Sequence, residues 1–115
     1  MASSESFIKF VYDQVLPIAM PVSYRKMFGD YMLYVDGRPV FLICDDTVHV
    51  KQIPETLAVF ASHGITPDVA VPYRGARPHY VLDIENSDLA IDMARELARI
   101  LPLPKPKKKK SPAGL

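Results

Sequence analysis

Few side chains in this 115-residue sequence are able to do covalent or metal chemistry. Cys44 is the lone cysteine, and His49, His63 and His79 are the three histidines. None shows the Cys-x2-Cys or His-x3-His spacing of a structural zinc site, which wants four ligands at recognisable intervals. No metal and no cofactor are expected. Cys44 and His49 flank one turn, so a nucleophile–base pair can be drawn. No orienting third group or oxyanion hole accompanies it. Cys44 reads instead as a small core residue. Asp45–Asp46 are neighbours on a turn, whereas general acid–base catalysis needs carboxylates facing each other across a cleft. There is no P-loop and no Gly-x-Gly-x-x-Gly. The expectation is a protein that is not an enzyme.

The cations offer binding rather than catalysis. Arg25 and Lys26 are adjacent on a strand and project to opposite faces. One of them could hold a ligand anion or a partner's carboxylate. The alternative is an edge charge that discourages aggregation, or an ion pair with Asp30 or Asp36. Arg74 and Arg77 form a second cluster, on a loop with Tyr73 and near Tyr80. Such a loop could bind a phosphate or stack on a base; the alternative is a solvated loop. Residues 1–104 carry nine basic and thirteen acidic side chains, a net of −4, and five lysines follow. These are Lys105, Lys107, Lys108, Lys109 and Lys110. They could bind any polyanion without reading sequence, or only aid solubility.

These groups must be positioned by one small domain. The chain is 49% apolar and 23% charged, which excludes a disordered chain and is too short for a two-domain enzyme. No apolar run approaches the ~18 residues of a membrane span, and Ser3, Ser4 and Glu5 stand where a signal peptide would be basic. One cysteine allows no internal disulfide. The reading is an intracellular, cytoplasmic protein. Residues 1–101 form the domain, and residues 102–115 read as a disordered basic tail. Pro102, Pro104, Pro106 and Pro112 forbid helix there, and the lysines repel one another.

Apolar spacing predicts a first helix over Ser4–Val15, with Phe7, Ile8, Val11 and Val15 on one face, stopped by Pro17. Four strands follow: Val22–Phe28, Tyr31–Val35, Val40–Cys44 and Thr47–Lys51. Gly29–Asp30, Asp36–Gly37 and Asp45–Asp46 are the expected turns. Val48 and Val50 point inward, and Thr47, His49 and Lys51 outward. A second helix covers about Glu55–Ser62, with Leu57, Ala58 and Ala61 on its face and Gly64 after it. Residues 67–78 form a loop with a short extended piece, and His79–Ile84 a fifth strand. The last helix is capped by Asn86 or Ser87 and buries Leu89, Met93, Leu97, Ile100 and Leu101. The fold class is α+β, ordered α-β(4)-α-β-α, with helices on one face of an antiparallel sheet.

Strands two and three are apolar on both sides, although a sheet with one wet face should alternate. Met32, Tyr34, Phe41 and Ile43 are taken as a second apolar face. A homodimer partner is its simplest cover, a different protein or a ligand the next; the alternative is that helices wrap both faces of a small sheet.

The segment Arg25-Lys26-Met27-Phe28-Gly29 running through Tyr31 into Asp36-Gly37 resembles the signature of the TfoX N-terminal domain family. The likeness continues through Phe41–Lys51 and covers about residues 3–101. Asp30 and Met32 stand where that family often has glycines. The resemblance implies a compact α+β domain, comparable with secretion chaperones, with no established catalytic residues. Full-length regulators of competence in that family carry a second domain where this sequence has lysines. The first reading is a regulatory or adaptor domain acting through protein contacts, as a homodimer. The second is a nucleic-acid-associated regulator that uses the tail. The third is a small-molecule or enzymatic pocket by Tyr73, Arg74, Arg77 and His79.

Overall fold

The computed structural model describes residues 4–104. Helix α1 spans Glu5–Val15, followed by a short 3-10 turn at Leu16–Ile18. Ser4 caps α1, its hydroxyl accepting from the Phe7 amide at 3.1 Å. Four strands follow, β1 Val22–Met27, β2 Asp30–Val35, β3 Arg38–Cys44 and β4 Thr47–Val50. Helix α2 covers Pro54–Ser62, β5 Val69–Ala70, β6 His79–Leu82 and α3 Ser87–Ile100. The six strands form one antiparallel sheet in the order β1-β2-β3-β4-β6-β5. The expected α+β order holds, and the extended piece before His79 is the edge strand β5.

Each of the three tight turns has positive φ at both central residues: Phe28 and Gly29, Asp36 and Gly37, Asp45 and Asp46. That backbone suits the right-handed twist of a two-residue hairpin. The first turn is therefore Phe28–Gly29 and not Gly29–Asp30, with Met27 opposite Asp30. Phe28 occupies a left-handed conformation at φ 50°, which a bulky side chain seldom adopts.

All three helices lie on one side. Helix α1 packs against β1, α3 against β2 and β3, and α3 sits between α1 and α2. His63 at the end of α2 meets Asp92 of α3 at 2.7 Å. Beneath the helices Tyr31, Leu33, Val35, Phe41, Ile43 and Val48 are buried. On α3 the buried stripe is Leu89, Met93 and Leu97, with Ala90, Ala94 and Ala98 allowing close approach. Helix α2 turns a different face inward than its apolar spacing implies. Thr56 and Phe60 are buried, while Leu57, Ala58 and Ala61 are exposed. The Thr56 hydroxyl accepts from the Ile53 amide at 3.2 Å and donates to the Lys51 carbonyl at 2.6 Å. That pair of bonds fixes the helix start and with it the rotation of α2.

The expected second face needs correction. Across the Asp36–Gly37 turn Val35 pairs with Arg38 and Tyr34 with Pro39, but Leu33 pairs with Phe41. Val40 is the extra residue of a β-bulge. One inserted residue reverses the facing of everything beyond it. Phe41 and Ile43 thus join Leu33 and Tyr31 under the helices and have no exposed surface. Met32 and Tyr34 stay on the far side, joined there by Leu42, Cys44 and His49. Pro39 belongs at such a place, because it offers no N–H to the ladder.

This register predicts that Phe41→Ala costs about 3–5 kcal/mol, as for a fully buried aromatic. Met32→Ala on the other face should cost roughly 1 kcal/mol, for its partial burial. Urea unfolding of both variants checks this, and equal losses would contradict the bulged register.

Candidate functional site

The turn-rich motif is largely architectural. Tyr31 is buried, and Asp36–Gly37 makes the second hairpin. Arg38 ties that hairpin to the end of α3. Its Nη1 donates to the Asp36 carbonyl at 2.9 Å and its Nε to the Leu101 carbonyl at 3.0 Å. The Asp36 carboxylate meets Arg38 at 3.2 Å. The ion pair of Asp36 is therefore with Arg38, and neither Arg25 nor Lys26 makes a salt bridge among the described residues.

Register separates the basic candidates. Arg25 pairs with Met32 and shares the open face. Lys26 pairs with Tyr31 and shares the helix side, where it borders a cleft of about 590 Å³ with Glu5, Lys9 and Tyr24. Tyr24 packs edge-on to Tyr12 at 5.6 Å and to Tyr31 at 5.8 Å, which pins the edge strand to α1. Arg74 and Arg77 are exposed on the loop before β6. Lys105 and Lys107–Lys110, with the rest of the tail beyond Pro104, lie outside the described residues.

The open face carries what remains of the chemistry. Leu42 pairs with His49, and His49 with Val81, so these three line up across the sheet. His49 points away from the helices as expected, yet it is only 4% exposed. Its Nδ1 lies 3.2 Å from the Leu42 carbonyl, and its ring meets His79 edge-on at 6.4 Å. Burial lowers its pKa below the ordinary histidine value, outweighing the bond to Leu42, and His79 pushes the same way. The imidazole is neutral and held by the backbone.

Cys44 lies at the same face and is likewise buried. Burial raises its thiol to about 12, helped by the charge of Asp30, by a hydrogen bond to that carboxylate and by the charge of Asp45. A thiol so placed stays protonated and is a poor nucleophile. Sequence reading missed the Asp30–Cys44 pair. With Tyr31 opposite Ile43, the bulged register brings Asp30 beside Cys44, whereas an unbulged register does not. The bulge was signalled by Pro39 within an otherwise apolar strand.

A cavity of about 410 Å³ opens beside this pair, lined by Met27, Phe28, Asp30, Leu42, Cys44 and Tyr73. Arg74 and Arg77 do not line it. A smaller cavity, about 50 Å³, lies between Met32, Leu42, His49 and His79. No group of three or more metal-binding side chains occurs among the described residues. No helix there is long and apolar enough to cross a membrane.

An α+β domain with three tight hairpins and one helix-free sheet face is the class of protein defined so far. Residues 13–99 match the TfoX N-terminal domain family, and the chain belongs to it. It is also similar to a Spirochaeta aurantia protein described as an uncharacterised 12.7 kDa protein in the trpE 5′ region. The two are 35% identical over 113 residues, covering 96% of this chain and 94% of the relative.

Neutral, buried His49 has a consequence for stability. The unfolded chain takes up a proton near pH 6.5 and the folded chain does so only at lower pH. Stability is then lost as pH falls through that range. Wild type should lose stability relative to His49→Leu between pH 7 and 5 in urea titrations. Parallel profiles would show that burial does not control this histidine.

Proposed function

We propose that the chain is a non-enzymatic regulatory or adaptor domain that works through protein contacts on its open sheet face, beginning with a second copy of itself. The observation that carries this reading is the helix-free face. Met32, Tyr34 and Leu42 are half-buried there with no helix packed over them among the described residues, and Phe28 and Tyr73 stand exposed at one end. Apolar surface of this kind marks an interaction site more often than it serves the fold. The thiol and imidazole on that face are held in their unreactive forms, which favours binding over covalent catalysis. Membership of the TfoX N-terminal domain family supports a regulatory role like that of competence regulators.

Sedimentation equilibrium tests the self-association. Wild type should dimerise at tens of micromolar, and Met32→Glu and Tyr34→Glu should be monomeric, because a charge on this face opposes burial. A wild-type monomer at that concentration would refute the homodimer and leave a different partner for the face.

A second reading is favoured by the basic groups at the surface. Arg25, Arg74 and Arg77 are exposed, and Arg25 lies on the open face. Together with the lysines after residue 104 they suit a polyanion. Binding to a short random DNA duplex should show a salt slope of about −4.5 if five lysines neutralise five phosphates. Removal of residues 102–115 should abolish it. Undiminished binding after that truncation would move the site to Arg25, Arg74 and Arg77.

A further inference from the structure

We propose that the cavity beside the Phe28–Gly29 turn is a binding site for a small organic ammonium ion, an amine bearing an aromatic or aliphatic body. At about 410 Å³ the cavity falls within the roughly 300–1,000 Å³ of ligand pockets. Its walls are chiefly apolar, from Met27, Leu42 and the two aromatic rings. Its polar lining is acidic. Asp30 lines it, and one carboxylate oxygen, Oδ1, is buried without a hydrogen-bond partner. A carboxylate has about four acceptor sites, and leaving a buried one unused costs stability. An ammonium group supplies the donor and the countercharge together.

Two further observations give the same sign. Part of the upward shift of the Cys44 thiol, after burial, comes from the charges of Asp30 and then Asp45. The cavity floor thus carries the Asp30 carboxylate, with that of Asp45 near Cys44. The mouth is framed by Phe28 and Tyr73, 106% and 56% exposed, whose ring faces attract cations. Phe28 is held in a left-handed backbone while its ring adds nothing to the core. The turn thus holds a fully exposed aromatic ring at the cavity rim. The basic side chains Arg74 and Arg77, which follow Tyr73 in sequence, stay off the lining, so an anion finds no donor pair inside.

The site does not depend on the dimer, and its test separates the two. Three probes of one shape are titrated into full-length, 15N-labelled protein: phenethylammonium, 2-phenylethanol and 3-phenylpropionate. Amide shifts around residues 27–30, 42–44 and 73 report binding, and sedimentation on the same samples reports assembly. Phenethylammonium should bind at least tenfold more tightly than the alcohol, and the carboxylate should not bind. Asp30→Asn should reduce the ammonium to the level of the alcohol, and Tyr73→Ala, on an exposed loop, should weaken it several-fold. Equal binding of all three probes, no shifts at 10 mM ammonium, or a cation preference that survives Asp30→Asn would each overturn the proposal, whatever the state of assembly.

Discussion

Pairing between β2 and β3 is the constraint on which the molecule rests. These strands stand next to the sheet edge strand β1 on one side and carry β4 on the other, and α3 packs on both. A single extra residue, Val40, sets which side chains they send toward α3. With it, Tyr31, Leu33, Phe41 and Ile43 share one buried face. Without it, Phe41 and Ile43 would face away, and α3 would meet Leu42 and Cys44 instead. Leu42 is smaller than Phe41 and Cys44 smaller than Ile43, so the core would be underfilled. The bulge is stabilised by the packing it permits.

The same register creates the other face. Asp30 comes beside Cys44 and Leu42 beside Met32 on the face that also carries His49, and the loop carrying Tyr73 lies at one end. This surface mixes half-buried apolar side chains with a protonated thiol, a neutral imidazole and the Asp30 carboxylate, one of whose oxygens has no hydrogen-bond partner. It is neither a core nor an ordinary wet face. Burial keeps the thiol protonated and the imidazole uncharged, which removes two reactive groups from a surface otherwise open to partners. The proposed self-association and the proposed amine site would lie on neighbouring parts of that face.

Hairpin chemistry was legible in the sequence to a large extent. Asp36–Gly37 and Asp45–Asp46 are turns because short polar side chains and glycine tolerate the left-handed backbone such turns need. Phe28 was misplaced outside its turn, since a phenylalanine gives no local sign of positive φ. Helices α1 and α3 follow from period and caps. Helix α2 does not, because a single threonine bonded to the preceding loop sets its rotation. Arg25 and Lys26 were separable by alternation alone, and the structure puts them on opposite faces.

What the sequence by itself determined is the set of elements, their order, the antiparallel meander and the family likeness, all of which rest on local periodicity and turn residues. What only the tertiary structure decided is facing. The side-chain period of a strand is two, so one unpaired residue reverses it, and the cost of either register is felt only when helices arrive to cover one side. The dimer face read from alternation therefore mixed Met32 and Tyr34 with the buried Phe41 and Ile43. The Asp30–Cys44 cavity stayed hidden for the same reason: residues fourteen apart meet only in the bulged pairing.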